Sequence, residues 1–459
     1  MAPDETAMKN NNKLLAVLIF ALIFSVMNGT MFNVALPVIG AEFQLTPSEL
    51  SWIMTGYMML YAVGSVVFGK LADRYRLKDL LTIGLLLFAV GSIVGATAGE
   101  YWVVIAGRLL QAAGASVLPA TAMIIPIRYF PQESRGKALG TSAIGLAIGG
   151  AIGPIVAGLV VGIGSWRLLF VLSLLSLLTL PFFRKYLDNA RGSKGSMDYL
   201  GGALLAATIT LLLLAITQRN LWLLLVFAVL LILFIVRIRN AADPFIQPAI
   251  FRNRSFSVAL LLSFLTTAMS FSLTFMTPQF LASLNGLLPG SIGLVLFPAA
   301  AASALLGRKG GKLADEKGNL FLVTIGSGLL FLCFALLSSL VGMSPYVIAI
   351  IVILGNVGQT FMQVSMSNTI SRTLTREQTG VGMGLFSMLN FIAGAIAMSI
   401  IGTMLDQPST TLQLNPLVSS TSAYMYSNIL TVISISVMFV YIVYRYQFGG
   451  AKQSSKATI

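Results

Sequence analysis

Long apolar runs, separated by short polar segments, dominate the sequence. The runs are each about 18 to 25 residues long, and a helix of that length crosses about 30 Å of hydrocarbon at about 1.5 Å per residue. The pattern predicts fourteen helices, near residues 14–36, 51–68, 80–98, 102–127, 138–161, 166–183, 199–216, 221–236, 256–279, 291–306, 320–340, 346–370, 380–405 and 426–444. We therefore expect an all-α integral membrane protein.

The composition supports a chain surrounded by lipid. Hydrophobic residues make up 57% of the 459 positions and charged residues 10%, against about 25% charged in an ordinary soluble domain. The first apolar run begins at Leu14 and is not followed by a processing site of small residues, so it is expected to remain as a spanning helix. The single cysteine, Cys333, has no intrachain partner, so no disulfide is expected.

The net charge of +14 raises the question of nucleic acid binding. If the N-terminus is cytoplasmic, all 29 basic residues except Arg108, Arg167 and Arg219 fall in cytoplasmic connections or tails. This asymmetry predicts that both termini are cytoplasmic. The basic residues are dispersed and lack aromatic interleaving, so they indicate topology and minor contact with anionic lipids, and not a nucleic acid partner.

An internal repeat divides the chain. Gly69–Asp73 reads Gly-Lys-Leu-Ala-Asp, and the same string returns 242 residues later at Gly311–Asp315. A weaker pair, Glu133–Gly136 and Glu377–Gly380, is offset by 244. Parallel repeats of six helices, with the substrate site near the midplane, are a known transporter architecture. The predicted units are a six-helix bundle over 1-185, two inserted helices over 186-250, and a second six-helix bundle with a short cytoplasmic tail over 251-459.

Three motifs resemble the major facilitator superfamily over essentially the whole chain. Gly69–Lys78 resembles its loop motif between helices two and three, although Arg76 stands where glycine is usual. Gly107–Gly114 resembles its helix-four motif, and the glycines and proline of 149–158 resemble its helix-five antiporter motif. The resemblance implies the major facilitator fold and proton-coupled export. It also implies coupling or gating roles for six residues: Asp73, Arg74, Arg108, Gly149, Gly153 and Pro154.

Further segments are similar to the fourteen-helix drug:proton antiporter branch. These are Asn33–Pro37 ending helix one, Asp198–Gly201 opening helix seven and Asp243–Phe256 leading into helix nine. Asn28, Arg135–Ala138 and Met425–Asn428 resemble Gram-positive tetracycline-efflux proteins. Two positions depart from the pattern: Asn28 stands where multidrug members carry an aspartate, and Gly150 where tetracycline exporters carry a glutamate.

Almost no ionisable residue lies near the middle of the membrane. None of the fifteen acids falls near the midplane of a predicted helix, and the chain has no histidine. Arg108 alone lies well inside a helix, so we expect it to face the bundle interior, with Asp406 or Glu100 as candidate partners. Each role has an alternative. Arg108 is then purely structural, Asp73 is a solvated acid in a loop, and Arg74 is a charge that only sets the membrane topology.

A drug cavity needs an apolar and aromatic lining with a few polar groups. Gln359 and Gln363 are four residues apart on one helical face. The predicted substrate-binding residues are Asn28, Asn33, Tyr57, Tyr61, Gln111, Asn356, Gln359, Gln363 and Asn390. Amides also join membrane helices to one another, which is the alternative at each position.

The sequence predicts a secondary active transporter that exports small lipophilic drugs, tetracycline-like or multidrug, in exchange for protons or another coupling cation. The missing helix-one acid weakens the case for a cationic drug, because a cation in a low-dielectric cavity needs a carboxylate partner. A gradient-driven or passive carrier of a lipid or metabolite is the alternative, and a non-transporting sensor the weaker one. No phosphate loop or metal-ligand cluster indicates an enzyme or a cofactor. We expect a monomer in a bacterial plasma membrane.

Overall fold

A computed structural model describes residues 5–72, 74–189, 198–242, 244–375, 378–407, 410–418 and 420–449. Over these ranges the secondary structure is helical, without a β-strand. The α-helices are α1 (Glu5–Phe43), α2 (Pro47–Ala72), α3 (Leu77–Ala96), α4 (Tyr101–Ala115), α5 (Val117–Tyr129), α6 (Gln132–Ile163), α7 (Arg167–Ser173), α8 (Leu180–Tyr186), α9 (Tyr199–Gln218), α10 (Leu221–Asn240), α11 (Arg254–Ser283), α12 (Pro289–Lys317), α13 (Asn319–Leu340), α14 (Pro345–Arg372), α15 (Thr379–Leu405) and α16 (Tyr424–Phe448).

The prediction of fourteen membrane spans is confirmed. In the described part of the chain, thirteen helical segments are long and apolar enough to cross a bilayer. The fourteenth span is α6, whose apolar part is Ile148–Ile163. The fold is all-α, with two six-span bundles and an inserted pair, α9 and α10.

Two spans that the sequence presents as continuous helices are broken at prolines. One span consists of α4 and α5, which meet at Ser116, and Pro119 lies in the first turn of α5. The other consists of α7, a 3-10 segment over Leu174–Thr179, and α8, which has Pro181 in its first turn. Proline has no amide hydrogen to donate and its ring clashes with the carbonyl four residues earlier, so regular bonding stops there.

Several helices extend beyond the predicted ends, and α1 and α12 do so past a position where the sequence predicts an end. The prediction that helix one ends at Pro37 is wrong, because α1 continues to Phe43. Proline removes a single intrahelical hydrogen bond and is tolerated in membrane helices. Likewise α12 runs past its apolar segment to Lys317, so the repeat at Gly311–Asp315 is helical and not part of a connection. The helix ends only at Gly318, whose φ of 84° favours glycine.

The inserted helix α9 lies across the seam between the two bundles. It packs against α2 of the first bundle and α15 of the second. The Trp52 indole nitrogen donates to the Thr217 hydroxyl over 3.3 Å, and Arg219 donates to the Thr403 carbonyl over 2.6 Å. Helix α10 packs on α9 and exposes most of its apolar side chains. The unit boundaries at 185/186 and 250/251 stay predictions.

Asp198 is the N-cap residue of α9. Its carboxylate accepts from the Gly201 amide over 2.9 Å, from Arg237 Nε over 2.9 Å and from the Phe245 amide over 3.2 Å. Burial acts to raise the pKa of this carboxyl, but the Gly201 amide, Arg237 and the Phe245 amide outweigh it and hold the pKa below its ordinary value. The charged form therefore ties α9, α10 and the connection before α11 together.

Replacing Asp198 by asparagine should destabilise the inserted pair by about 1–3 kcal/mol at pH 7, because Arg237 and the Phe245 amide lose a charged acceptor. Since the folded-state pKa is lowered, the stabilisation is complete above the ordinary carboxyl range and disappears as the pH falls through the folded-state value. Thermal unfolding of the purified proteins between pH 7 and pH 3 should show that the difference in unfolding midpoint between the unmodified protein and Asp198→Asn becomes smaller as the pH falls. Glu316→Gln, in the exposed pair with Lys312, is the control. An equal loss of stability in both variants would contradict the prediction.

Candidate functional site

Arg108 lies at the centre of the first bundle and is 1% exposed. Its Nη1 donates to Asn28 Oδ1 over 2.6 Å and to Gln111 Oε1 over 3.0 Å. Its Nε donates to the Ile53 carbonyl over 3.4 Å. The guanidinium thus joins α1, α2 and α4 through acceptors that are all neutral.

Two aromatic rings enclose the Arg108 guanidinium. Its Cζ lies 4.2 Å from the Phe32 ring centroid and 4.0 Å from the Tyr57 ring centroid. Aromatic faces attract cations, so the rings offset part of the cost of burying the charge. Hydrogen bonding at this site is nevertheless incomplete. Three polar groups are buried without a hydrogen-bond partner in the described structure: Arg108 Nη2, the Tyr57 hydroxyl and Asn33 Oδ1.

The amides that bind Arg108 are themselves held by two serines that no sequence motif indicates. Asn28 Nδ2 donates to Ser173 Oγ over 2.6 Å, and Gln111 Nε2 donates to Ser92 Oγ over 2.8 Å. The network therefore reaches α3 and α7. An isolated serine within an apolar run is the only sequence feature that could have predicted these contacts. Many such serines, however, hydrogen-bond only to their own helix. Contact of Asn28 and Gln111 with cargo stays a prediction.

An aromatic chain joins the two bundles near the middle of α2 and α15. The rings of Tyr57 and Tyr61 stack with centroids 5.7 Å apart and an interplanar angle of 18°. Tyr61 meets Phe391 of α15 edge to face at 4.8 Å. The neighbouring Asn390 accepts from the hydroxyls of Ser263 and Thr267, over 3.1 Å each, and so ties α15 to α11.

Three of the four polar positions predicted in the second bundle form a stripe on α14. Asn356, Gln359 and Gln363 lie on one helical face. Asn356 and Gln359 are partly buried and Gln363 is exposed. Within the described residues, none of the three side-chain amides hydrogen-bonds to protein. Because an amide in a membrane span requires a polar partner, this stripe is available to water or a ligand.

Glycines give α6 two separate contact surfaces. A Cβ built at Gly149 would lie 2.5 Å from the Ile23 carbonyl oxygen of α1, and one at Gly153 would clash with the Thr30 hydroxyl. Past Pro154 the contact passes to α12. There, a Cβ at Gly158 would lie 2.9 Å from the Gly293 Cα. Small residues allow this close approach of membrane helices.

The bundles also meet at the side of the membrane opposite to the Arg74 connection. The Asp406 carboxylate, at the end of α15, accepts from the Ser48 amide in the first turn of α2 over 3.0 Å. Next to it, a Cβ at Gly402 would lie 2.8 Å from the Pro47 carbonyl oxygen. The expectation that Asp406 or Glu100 pairs with Arg108 is wrong, because Arg108 binds neutral acceptors deeper in the bundle.

Replacing Asp406 by alanine should loosen this closure. A carboxylate at a helix N-terminus contributes about 1–2 kcal/mol, which corresponds to about a 5- to 30-fold shift between closed and open forms. Ser51 is buried against Gly402, so a Ser51→Cys reporter should react faster with an impermeant maleimide when Asp406 is replaced. Glu100→Ala, an exposed acid on the same side, is the control. Unchanged labelling in Asp406→Ala would disprove a closing role.

The connection after α2, for which the sequence predicts a coupling or gating role, lies at the basic side, next to the connection before α11. Asp73 lies outside the described residues, and Arg74 is exposed. Lys70 donates to the Pro244 carbonyl over 3.1 Å and lies 5.4 Å from the Phe245 ring centroid. The end of α2 is thus attached to the segment that leads into the second bundle.

Known proteins match from about two thirds to nearly all of the chain. The riboflavin transporter RibZ of Clostridioides difficile (strain 630) is 26% identical over 441 residues, covering 94% of this chain and 96% of that protein. Multidrug resistance protein 3 of Bacillus subtilis (strain 168) is 27% identical, covering 67% and 63%.

Solved structures agree with the fold. A bacterial homologue of the human lysosomal transporter Spinster, in an inward-facing and unoccupied conformation, has a TM-score of 0.66 at 14% identity, covering 98% of this chain and 97% of that one. The nucleoside transporter NupG has a TM-score of 0.68 at 12% identity, covering 95% and 99%. The sequence profile described as Major Facilitator Superfamily matches residues 18–398. The chain therefore belongs to the Major Facilitator Superfamily.

Proposed function

We propose that this transporter exports small lipophilic compounds, tetracycline-like or multidrug, in exchange for protons by alternating access. The observation that carries the proposal is the aromatic chain of Tyr57, Tyr61 and Phe391, which joins the bundles at mid-span. Flat apolar molecules bind between such rings, and neutral amides supply orientation. The α14 stripe of Asn356, Gln359 and Gln363 offers such amides.

In this mechanism the bundles rock about the aromatic chain. The described conformation is closed at the Ser48–Asp406 side, where Gly158 and Gly293 also touch. We assign the basic side to the cytoplasm, following the charge asymmetry, so this closed side faces outward. The glycine-rich part of α6 around Gly149, Gly153 and Pro154 supplies the flexing segment, and the Asp73–Arg74 loop the cytoplasmic latch.

A second function, passive or gradient-driven carriage of a metabolite, is favoured by one observation. The acceptors around Arg108 are all neutral, so a buried carboxylate relay for protons is absent from this network. RibZ is by name a riboflavin transporter, and riboflavin is accordingly one of the test compounds. Under antiport, the proton sites are acids near helix ends, with Asp73 and Asp406 as the candidates.

Everted membrane vesicles separate the two functions. With an acidic lumen, antiport predicts that tetracycline, ethidium or riboflavin evokes proton efflux, and that Asp73→Asn or Arg108→Ala abolishes it. Gly150→Ala is the control, because its Cβ would lie an ordinary 3.8 Å from Val26. Cargo flux that is indifferent to the imposed proton gradient would reject antiport and support the passive carrier.

A further inference from the structure

We propose that Arg108, together with the Tyr57 hydroxyl, binds a negatively charged group on the cargo, so that the preferred cargo is an aromatic organic anion. The inference rests on the proposed export function and specifies the chemical class of its cargo. It follows from the charge balance around Arg108, its unbonded donors and the aromatic groups that enclose it.

The charge balance is uneven at this site. Three ion pairs of the described structure join Glu42 to Arg167, Asp198 to Arg237, and Lys312 to Glu316. All three lie at or near helix ends. Arg108 is fully buried and has only neutral acceptors. An interior cation without an opposite charge attracts anions strongly in a low-dielectric surrounding, and repels cations equally.

The unbonded donors indicate where an anion would bind. Arg108 Nη2 and the Tyr57 hydroxyl are both buried without a partner. A guanidinium stays charged and only donates hydrogen bonds, so Nη2 can be satisfied only by an acceptor. The Tyr57 ring covers the same guanidinium, 4.0 Å from its Cζ. A carboxylate, phenolate or sulfonate oxygen would satisfy both donors at once, which a neutral amide does less well.

Access to Arg108 passes through the aromatic chain. Arg108 is 1% and Tyr57 4% exposed, so the described conformation is closed and loading requires the Tyr57 ring to turn aside. Tyr61 and Phe391 continue from Tyr57 toward α15. A flat aromatic cargo can stack in their place while its acidic group reaches Arg108.

An anionic cargo also fits the lack of acids at midplane. A membrane potential that is negative inside drives anions outward. Binding to Arg108 neutralises the buried charge, so the loaded site crosses the low-dielectric region as a neutral pair. The potential then acts on the unloaded site, whose positive charge is drawn back toward the negative interior, and so contributes to export in addition to any proton exchange through acids near the helix ends.

The binding test compares two probes of the same shape, 2-naphthoate and 2-naphthamide, on the purified full-length protein at pH 7.5. Calorimetry or tryptophan fluorescence should show at least about tenfold tighter binding of the carboxylate. Tyr57→Phe keeps the ring and removes the hydroxyl, so the preference should shrink several-fold. Arg108→Gln should abolish the preference. If Arg108→Gln does not fold, the preference measured in Tyr57→Phe tests the anion site.

The outcomes separate this inference from the export function. Equal affinity for the two probes, or a preference that both variants retain, would overturn anion binding. In that case, drug-evoked proton efflux in everted vesicles would still support export of neutral compounds. Conversely, a carboxylate preference lost in Arg108→Gln, together with no drug-evoked proton efflux, would support the anion site and reject proton-coupled export. In proteoliposomes, outward 2-naphthoate flux should rise with an interior-negative potential that leaves 2-naphthamide flux unchanged.

Discussion

Export should fall at least about tenfold when Gly158 is replaced by alanine, because the added methyl group separates the bundles where they cross. A Cβ at this position would lie 2.9 Å from the Gly293 Cα and 3.4 Å from the Gly290 carbonyl oxygen. These are backbone atoms, so no side-chain rotation can relieve the contact. The variant should fold but close poorly on the Ser48–Asp406 side. Tetracycline transport in everted vesicles and maleimide labelling of a Ser51→Cys reporter measure the two effects.

Gly162→Ala is the matched control, one turn further along the same face of α6. Its Cβ would lie 3.5 Å from the Gly290 Cα, which is an ordinary van der Waals distance. Transport and labelling should therefore match the unmodified protein. If Gly158→Ala transports normally, or if both variants lose transport equally, the close crossing of α6 and α12 is not required for closure.

Gly149→Ala should instead lower stability, by about 1–3 kcal/mol, the usual cost of overpacking a core. Its Cβ would lie 2.5 Å from the Ile23 carbonyl oxygen and 3.1 Å from the Ile23 Cα. Helix α1 would have to move away from α6, within a single bundle. Thermal unfolding of the purified protein in detergent should show a lower midpoint.

Gly150→Ala provides the comparison at the adjacent residue. Its Cβ would meet only Val26 Cγ1, at 3.8 Å. Alanine also has the higher helix propensity, by about 1 kcal/mol, so this variant should be neutral or slightly more stable. A lower midpoint in Gly150→Ala, equal to that of Gly149→Ala, would show that any side chain is harmful there and that the contact with α1 is not the cause.

The two pairs of variants test two kinds of contact, one that persists through the transport cycle and one that breaks and forms again. Gly149 packs against α1 inside the first bundle, and in the proposed mechanism this contact is kept while α6 flexes. Gly158 packs against α12 of the other bundle, and that contact must break and form again in each cycle. The first substitution should therefore act mainly on unfolding, and the second mainly on the balance between closed and open forms.

The sequence alone determined the membrane spans, because the length of an apolar run is a local property set by bilayer thickness. It also placed Arg108 in the bundle interior, since a cation facing lipid is too costly. The motifs around Gly149 and Pro154 indicated the family. Helix ends were less predictable: Pro37 and the basic segment after residue 306 mark where apolar character changes, while backbone hydrogen bonds continue to Phe43 and Lys317.

Only the tertiary structure decided which groups meet. The choice of Asn28 and Gln111 over Asp406 as partners of Arg108 depends on the rotation and tilt of α1, α2 and α4. These are set by packing between residues distant in sequence, such as the contacts of Gly149 with Ile23 and of Gly158 with Gly293. A hydropathy pattern shows that a side chain is buried, whereas its partner depends on how neighbouring helices are arranged in three dimensions.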